Sequence, residues 1–187
     1  MRIIAGEFKG RRLKSVPGLA TRPTPDRLRE SLFSILGPEL EGRRFADLFA
    51  GTGSVGLEAL SRGASEVVFV EGAVRAREVL RENLRVLGAV HASVIERPVM
   101  RALRTLRTDI VFMDPPYEDE RAYLETLEAL KYSEASLILV QHQPKRALAE
   151  RYGAFECKRR LRQGDNVVSF YRRMDAFDAT EDASATR

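Results

Sequence analysis

The chain carries one cysteine, Cys157, so it can form no disulfide within itself, and nothing in its composition asks for an oxidising compartment. No apolar run approaches the roughly 18 to 20 residues that a membrane helix needs. Met1-Arg2-Ile3-Ile4-Ala5-Gly6-Glu7 has no long apolar stretch after its charge, so it does not read as a secretion signal. The two histidines, His91 and His142, stand apart without cysteine partners, and no metal site is expected of them. There is no Gly-Lys-Ser/Thr, which argues against a phosphate-cradling P-loop. Cys157 falls on an expected strand and reads as a small apolar residue. Internal repeats and interdomain linkers are also missing. The expectation is a cytoplasmic monomer with no membrane and no metal.

What is present is enough for a core. The chain has 187 residues, of which 44% are hydrophobic, and this suits one domain. Residues 1–174 read as that domain, with 1–43 an extension ahead of a core at 44–174. Residues 175–187, mostly Ala, Asp, Ser and Thr, carry four acids against Arg187 and are expected to be disordered. The net charge of +4 therefore hides +7 over residues 1–174. From Met1 to Arg29 there are eight Lys/Arg and two acids; from Lys158 to Arg173, six and one. Two basic ends around a balanced middle suggest a polyanionic partner. Arg11, Arg12, Lys14, Arg22, Arg27 and Arg29, with Lys158, Arg159 and Arg160, are the candidates for contact with such a partner, a nucleic acid such as RNA among the options.

The pattern along the chain is alternating. Arg2 to Val16 alternates apolar and polar around Gly6 and Gly10, a hairpin signal. Thr24-Pro25-Asp26 predicts a helix with Thr24 as N-cap and Gly37-Pro38 as its stop. From Arg44 onward, strands are expected at 45–50, 67–70, 92–95, 110–113 and 137–140. Helices are expected after the glycine turn at 51–56 and at 73–87, 99–106, 121–130 and 144–152. Gln163-Gly164-Asp165-Asn166 joins two closing strands as a hairpin. Strands alternating with helices imply an α/β fold: a mostly parallel sheet, seven-stranded here, with helices on both faces and an antiparallel C-terminal hairpin.

Two motifs carry chemistry. Gly51-Thr52-Gly53-Ser54-Val55-Gly56 lies between a strand and a helix, where glycine permits a tight turn and close approach to a ligand. Glu71, 20 residues after Gly51, ends the next expected strand and can accept ribose hydroxyls. Dinucleotides and S-adenosylmethionine both place adenosine in such a loop. Asp47 would repel a pyrophosphate yet could attract an amino-acid ammonium through water, which favours S-adenosylmethionine. Asp114-Pro115-Pro116-Tyr117 ends the fourth expected strand, beside the first at the switch point of such sheets. The Asp114 side chain and the Pro115 carbonyl can accept the two hydrogens of an exocyclic amine and orient its delocalised lone pair. The prolines stiffen the turn, and Tyr117 can stack on a base. Asp114 needs no raised pKa for this task. An adenine-N6 methyltransferase, a dinucleotide enzyme and a non-catalytic nucleic-acid-binding protein stay open on the motifs alone.

The chain resembles the bacterial methyltransferases that modify the N2 amino group of a guanine in 16S ribosomal RNA, the small-subunit methyltransferase D type. The likeness covers roughly residues 1–173. It is carried by Met1-Arg2-Ile3-Ile4-Ala5-Gly6-Glu7, Gly10-Arg11-Arg12-Leu13, Arg22-Pro23-Thr24 and Arg29-Glu30-Ser31-Leu32-Phe33. Asp47-Leu48-Phe49-Ala50-Gly51-Thr52-Gly53, Gly56 to Ala64, and Gly164-Asp165 with Ser169 and Tyr171 extend it. It implies a class I, Rossmann-like methyltransferase fold, S-adenosylmethionine as donor and 16S rRNA or the small ribosomal subunit as partner. It implies that Phe49, Ala50, Gly51, Gly53 and Glu71 contact the cofactor and that Asp114 to Tyr117 contact the guanine. Thr52, Gly56 and Gly72 in the same loops, with Glu96 and Arg97 after the third expected strand, are further cofactor candidates. Glu96-Arg97-Pro98 departs from the Asp-Ala expected beside the adenine, and Gln141 stands where Glu is usual.

Overall fold

The computed structural model describes residues 1–16 and 24–174. The expectations for Arg22 and for the tail at 175–187 lie outside the described residues. Among the described residues, eight strands form one sheet: β1 Arg44–Leu48, β2 Glu66–Val70, β3 Ala92–Ile95, β4 Ile110–Met113, β5 Leu137–His142, β6 Arg151–Tyr152, β7 Phe155–Gln163 and β8 Asn166–Arg173. The order is β3-β2-β1-β4-β5-β8-β7-β6. The first five pair in parallel; β8, β7 and β6 pair antiparallel. β4 and β5 are buried along their whole length, as a sheet covered on both faces requires. One face packs under helices α1 (Asp26–Leu36), α2 (Ser54–Ser61) and α3 (Val74–Leu87), through Leu32, Leu57, Phe69, Leu80 and Phe112. The other packs under α4 (Val99–Ala102) and α5 (Glu120–Leu130), through Val99, Met113, Leu127 and Tyr171.

The strand beyond the expected seven, β6, falls within an expected helix. Residues 144–152 form a turn and the two-residue β6. Tertiary partners outbid the helix for its polar groups: Arg146 donates to the Tyr117 carbonyl, Tyr171 to that of Ala149, and the Cys157 N–H to that of Glu150. The helix expected at 99–106 keeps only its first turn, Val99–Ala102. The N-terminal hairpin pairs about an antiparallel bridge, Arg2 with Arg12, with Ile3 N–H on Arg11 O, Gly10 N–H on Ile3 O and Leu13 N–H on Met1 O. Other backbone groups of this segment go to α2 and α3: Phe8 N–H to Ser61 Oγ, and Lys14 N–H to Asn83 Oδ1.

Thr24 does not cap α1. Pro25 occupies the N-cap without a side-chain bond, and the buried Thr24 hydroxyl donates to Gln141 Oε1 at 3.0 Å. Arg29 is a second correction. It is 0% exposed, so it offers nothing to a phosphate. Its guanidinium donates to the Arg2 carbonyl and to Asp26, and its Nε lies 3.6 Å from Glu58. Burial lowers its pKa against the pull of Asp26 and Glu58, and both acids favour the charged form.

Glu58 is the centre of this knot. Its buried carboxylate accepts from the Ile4 and Ala5 amides and from Arg62 Nε. Removing one partner of a buried charge network strands the others and costs about 3 to 5 kcal/mol. Glu58→Ala is therefore expected to lower stability by that order and to release the amides of Ile4 and Ala5 to solvent. Urea unfolding with hydrogen exchange at those two amides measures both; a loss below about 1 kcal/mol would show that the carboxylate carries no buried charge.

Candidate active site

The parallel pairing of β1 with β4 aligns Leu48 with Met113. The next residues on each strand, Phe49 and Asp114, therefore leave the sheet side by side at its carboxyl edge. Leu48 also pairs with Val70 of β2, which brings Glu71 to the same edge. The glycine loop, the acid after β2 and the Asp-Pro-Pro-Tyr turn thus meet as their spacing predicted.

The loop is tightly built. Phe49 has φ +63, the only positive value among the described non-glycine residues. This strained geometry reverses the chain at the end of β1. Ala50 N–H donates to Val70 O, and Gly53 N–H closes back on Ala50 O at 2.8 Å. Gly51, at φ +56, borders open space: a Cβ there meets nothing within 4 Å. Glu71 accepts from Gly51 N–H and from Ala73 N–H, each at 2.7 Å, leaving further lone pairs on both oxygens. Gly72 is exposed beside it. Thr52 is held from behind by Asn83, whose amide donates to its carbonyl at 3.0 Å.

Three residues of the expected cofactor set, Gly56, Gly53 and Asp47, are packed inward instead. A Cβ on Gly56 would lie 2.3 Å from the Phe69 ring, and its N–H donates to Asp47 Oδ2 at 2.8 Å. Gly56 is small so that α2 can pack on β2. Gly53 combines φ +84 with a Cβ position 2.4 Å from Leu80 Cδ1, so packing also demands glycine there. Asp47 is only 2% exposed and fastens the loop to β1. After β3, Glu96 is taken by ion pairs with Arg77 and Arg81 of α3. Arg97 is exposed and, with Val94, Ile95, Glu96, Ala102 and Thr105, lines an open cleft of about 370 Å³.

Around the Asp-Pro-Pro-Tyr turn the geometry is more specific. Asp114 Oδ1 is buried with no hydrogen-bond partner. Burial, then the charge of Asp47, pushes its pKa well above the carboxylate range; the sequence had given no reason for a shift. Pro115 is buried, and its carbonyl accepts from Tyr123 Oη at 3.2 Å. The same hydroxyl lies 3.0 Å from the Gln141 carbonyl. Arg146 stacks over the Tyr123 ring at 4.2 Å and donates to Tyr117 O at 2.6 Å. Tyr117 Oη donates to Asn166 Oδ1 and accepts from Gln141 Nε2. Sequence reasoning missed Tyr123, Arg146, Gln141 and Asn166 as supports of this turn. Only the coincidence of polar residues at three strand ends could have flagged them.

The residues fit S-adenosylmethionine. Open space lies beside Gly51, an acid with spare acceptor capacity stands at Glu71, and an unpartnered buried acceptor waits at Asp114 across the strand junction. Asp47, Glu71 and Asp114 place three carboxyl groups at this edge, and a cationic ligand there would favour their charged forms.

The basic candidates are dispersed. Arg11 is exposed and donates to the Val86 carbonyl; Arg12, Arg27 and Arg159 are exposed. Lys14 pairs with Glu82, Lys158 with Glu156, and Arg160 with Glu150.

Asp47 yields a test by pH. Burial, reinforced by Glu71, raises its pKa to about 7, although the Gly56 amide opposes the shift. The folded state then holds a proton that the unfolded state releases near pH 4, so this group's contribution to stability falls as pH rises from about 4 to 7. Asp47→Asn keeps an acceptor for Gly56 and removes the charge. It should be more stable than the parent at pH 8, by on the order of a few kcal/mol, with the gain shrinking towards pH 4. Thermal melts across that range check this; a gain independent of pH would rule out the buried charge.

The chain is similar to known proteins over most of its length. The family model described as conserved hypothetical protein 95 matches residues 1–172. The Bacillus subtilis (strain 168) protein YlbH, named as a candidate rRNA methyltransferase, is 36% identical over 182 residues, covering 92% of this chain and 99% of its own. The ribosomal RNA small subunit methyltransferase D of Escherichia coli (strain K12) is 40% identical over 119 residues, 63% of this chain and 60% of its own. A solved Thermus thermophilus 16S rRNA N2 methyltransferase, in complex with AdoMet and guanosine, superposes with a TM-score of 0.68 at 27% identity. That match covers 84% of this chain and 45% of the other. The chain belongs to the conserved hypothetical protein 95 family and has the Rossmann-like fold of the methyltransferases.

Proposed function

We propose that this protein transfers a methyl group from S-adenosylmethionine to the exocyclic N2 amine of a guanine in 16S ribosomal RNA. The observation that carries the reading is Asp114 Oδ1, a buried acceptor without a partner one strand away from the glycine loop. The small-subunit name of one relative and the guanosine-bound neighbour support rRNA and N2 as the target.

The chemistry divides between two sets of residues. S-adenosylmethionine, when bound, supplies a methyl carbon made electrophilic by its sulfonium. Gly51 and Glu71 would hold its ribose end, and the carboxyl groups of this edge, ionised beside it, would favour its positive charge. Asp114 Oδ1 and the Pro115 carbonyl accept the two amine hydrogens and turn the nitrogen lone pair toward the methyl group. The N–C bond forms as the S–C bond breaks, and the electron pair of that bond returns to sulfur. The methylated nitrogen then loses one proton, which the Asp114 side chain, in its carboxylate form beside the bound cation, is placed to take. Pro115 and Pro116 keep these acceptors rigid, so little reorganisation is needed during reaction. Tyr117 would stack on the base.

Asp114→Ala should abolish transfer while leaving S-adenosylmethionine affinity within a factor of about two. Glu71→Ala should do the reverse and weaken cofactor binding by about 1.5 to 3 kcal/mol. Calorimetry with S-adenosylmethionine, paired with tritium transfer to 16S rRNA and nucleoside analysis of the product, reads both. Label recovered on adenine N6 would replace the proposed target, and loss of cofactor binding in Asp114→Ala would reverse the two roles.

Arg11, Arg12, Lys14 and Arg27 near the N-terminus and Lys158, Arg159 and Arg160 in the closing hairpin remain the proposed RNA contacts. Arg29 drops out because it is buried. Neutralising Arg11, Arg12 and Arg27 together should weaken RNA binding and flatten its salt dependence by up to roughly 0.7 to 0.9 per lost phosphate contact. S-adenosylmethionine affinity should hold. A filter-binding series over several salt concentrations decides; an unchanged slope would remove the N-terminal residues from the RNA surface.

A further inference from the structure

Gln141 is the last-but-one residue of β5, and its side chain is buried at the site's edge. It joins three separate parts of the chain by a directed series of hydrogen bonds. The Thr24 hydroxyl donates to Gln141 Oε1 at 3.0 Å. Gln141 Nε2 donates to Tyr117 Oη at 3.2 Å. Tyr117 Oη donates to Asn166 Oδ1 at 2.7 Å. Each member is oriented by the one before it, because an amide oxygen only accepts and an amide nitrogen only donates. Such chains polarise one another and hold better than isolated bonds.

The consequence falls on Tyr117. Its carbonyl is held by Arg146 and its hydroxyl by Gln141 and Asn166, so both ends of the residue are fixed. The ring follows directly after the rigid prolines, beside the acceptors at Asp114 and Pro115. A base stacked on it would take its tilt and depth from the ring. Small errors in that placement cost rate steeply, because attack on a methyl carbon needs the nitrogen in line.

We propose that Gln141 is a positioning residue for methyl transfer, fixing the Tyr117 ring between Thr24 and Asn166 so that the stacked base presents its amine in line with the methyl group. This rests on the reading of the site given above. Gln141 touches no reacting atom; it acts through Tyr117.

The test is a double-mutant cycle on the full chain with 16S rRNA. Gln141→Met keeps the side chain's length and removes both hydrogen bonds. Tyr117→Phe keeps the ring and removes the hydroxyl. Each single change should lower kcat by about ten-fold or more, the scale of losing one well-placed hydrogen bond. RNA KM and S-adenosylmethionine affinity should stay within about two-fold. The double variant should be no slower than the slower single one, because both changes cut the same link. Asn166→Ala, at a half-exposed position beside the hairpin turn, should give the same defect in kcat and serves if Gln141→Met fails to fold. Multiplying effects in the double variant would overturn the proposal, as would a defect confined to RNA KM. If the parent transfers no methyl group to the RNA at all, the functional reading itself fails, and the proposal with it.

Discussion

The site depends on one constraint, the parallel hydrogen-bonded pairing of β1 with β4. Neither strand alone carries the chemistry. Asp47 lies on the first and Phe49 follows it, Asp114 follows the second, and some 65 residues separate Phe49 from Asp114 in the chain. Register does the rest. With Leu48 opposite Met113, both strands end level, so the cofactor loop and the amine acceptors open onto the same edge. A slip of one residue would turn every side chain of the short strand to the other face. The complete burial of β4 makes that slip costly.

Around this edge the fold accepts electrostatic expense. Burial above all raises the pKa of Asp47 and of Asp114; the charge of Glu71 adds to the shift at Asp47, and the charge of Asp47 to that at Asp114. Each is managed differently. Asp47 is shut in and fastens the loop through Gly56; Glu71 staples the amides of Gly51 and Ala73; Asp114 alone keeps a buried oxygen unsatisfied. A stable fold seldom leaves such an oxygen orphaned without a use for it. The unsatisfied atom and the strained backbone at Phe49 stand on neighbouring strand ends, a pairing of local costs that fits a functional edge.

The N-terminal segment belongs to the same construction. Its amides end on Glu58 and Ser61 of α2, and Asn83 of α3 holds Lys14 and Thr52 with one side chain. The first residues of the chain and the cofactor loop therefore share a support. The closing hairpin reaches the site from the opposite side, through Asn166 on Tyr117.

Much of this was legible in the sequence because it is local. Apolar runs four or five residues long, separated by helical periods, specify a parallel sheet. Gly51 to Gly56 and Asp114 to Tyr117 announce their turns in their own residues. Gly164-Asp165 fixes the closing hairpin without help from elsewhere. What the sequence could not decide were the partners of polar groups. Arg29 reads as a surface cation until Glu58 and Asp26 surround it; Thr24 reads as a cap until Gln141 takes its hydroxyl; Gly56 reads as a ligand contact until Phe69 fills the space above it. Residues 144–152 read as a helix until Tyr117 and Tyr171 claim Arg146 and the Ala149 carbonyl. Backbone preference and hydrophobic period are properties of neighbours in sequence, so the sequence by itself determined the order of elements and the place of the two motifs. Hydrogen bonds and buried charges are settled between groups distant in sequence, so only the tertiary structure decided which polar residues face a ligand and which hold the fold.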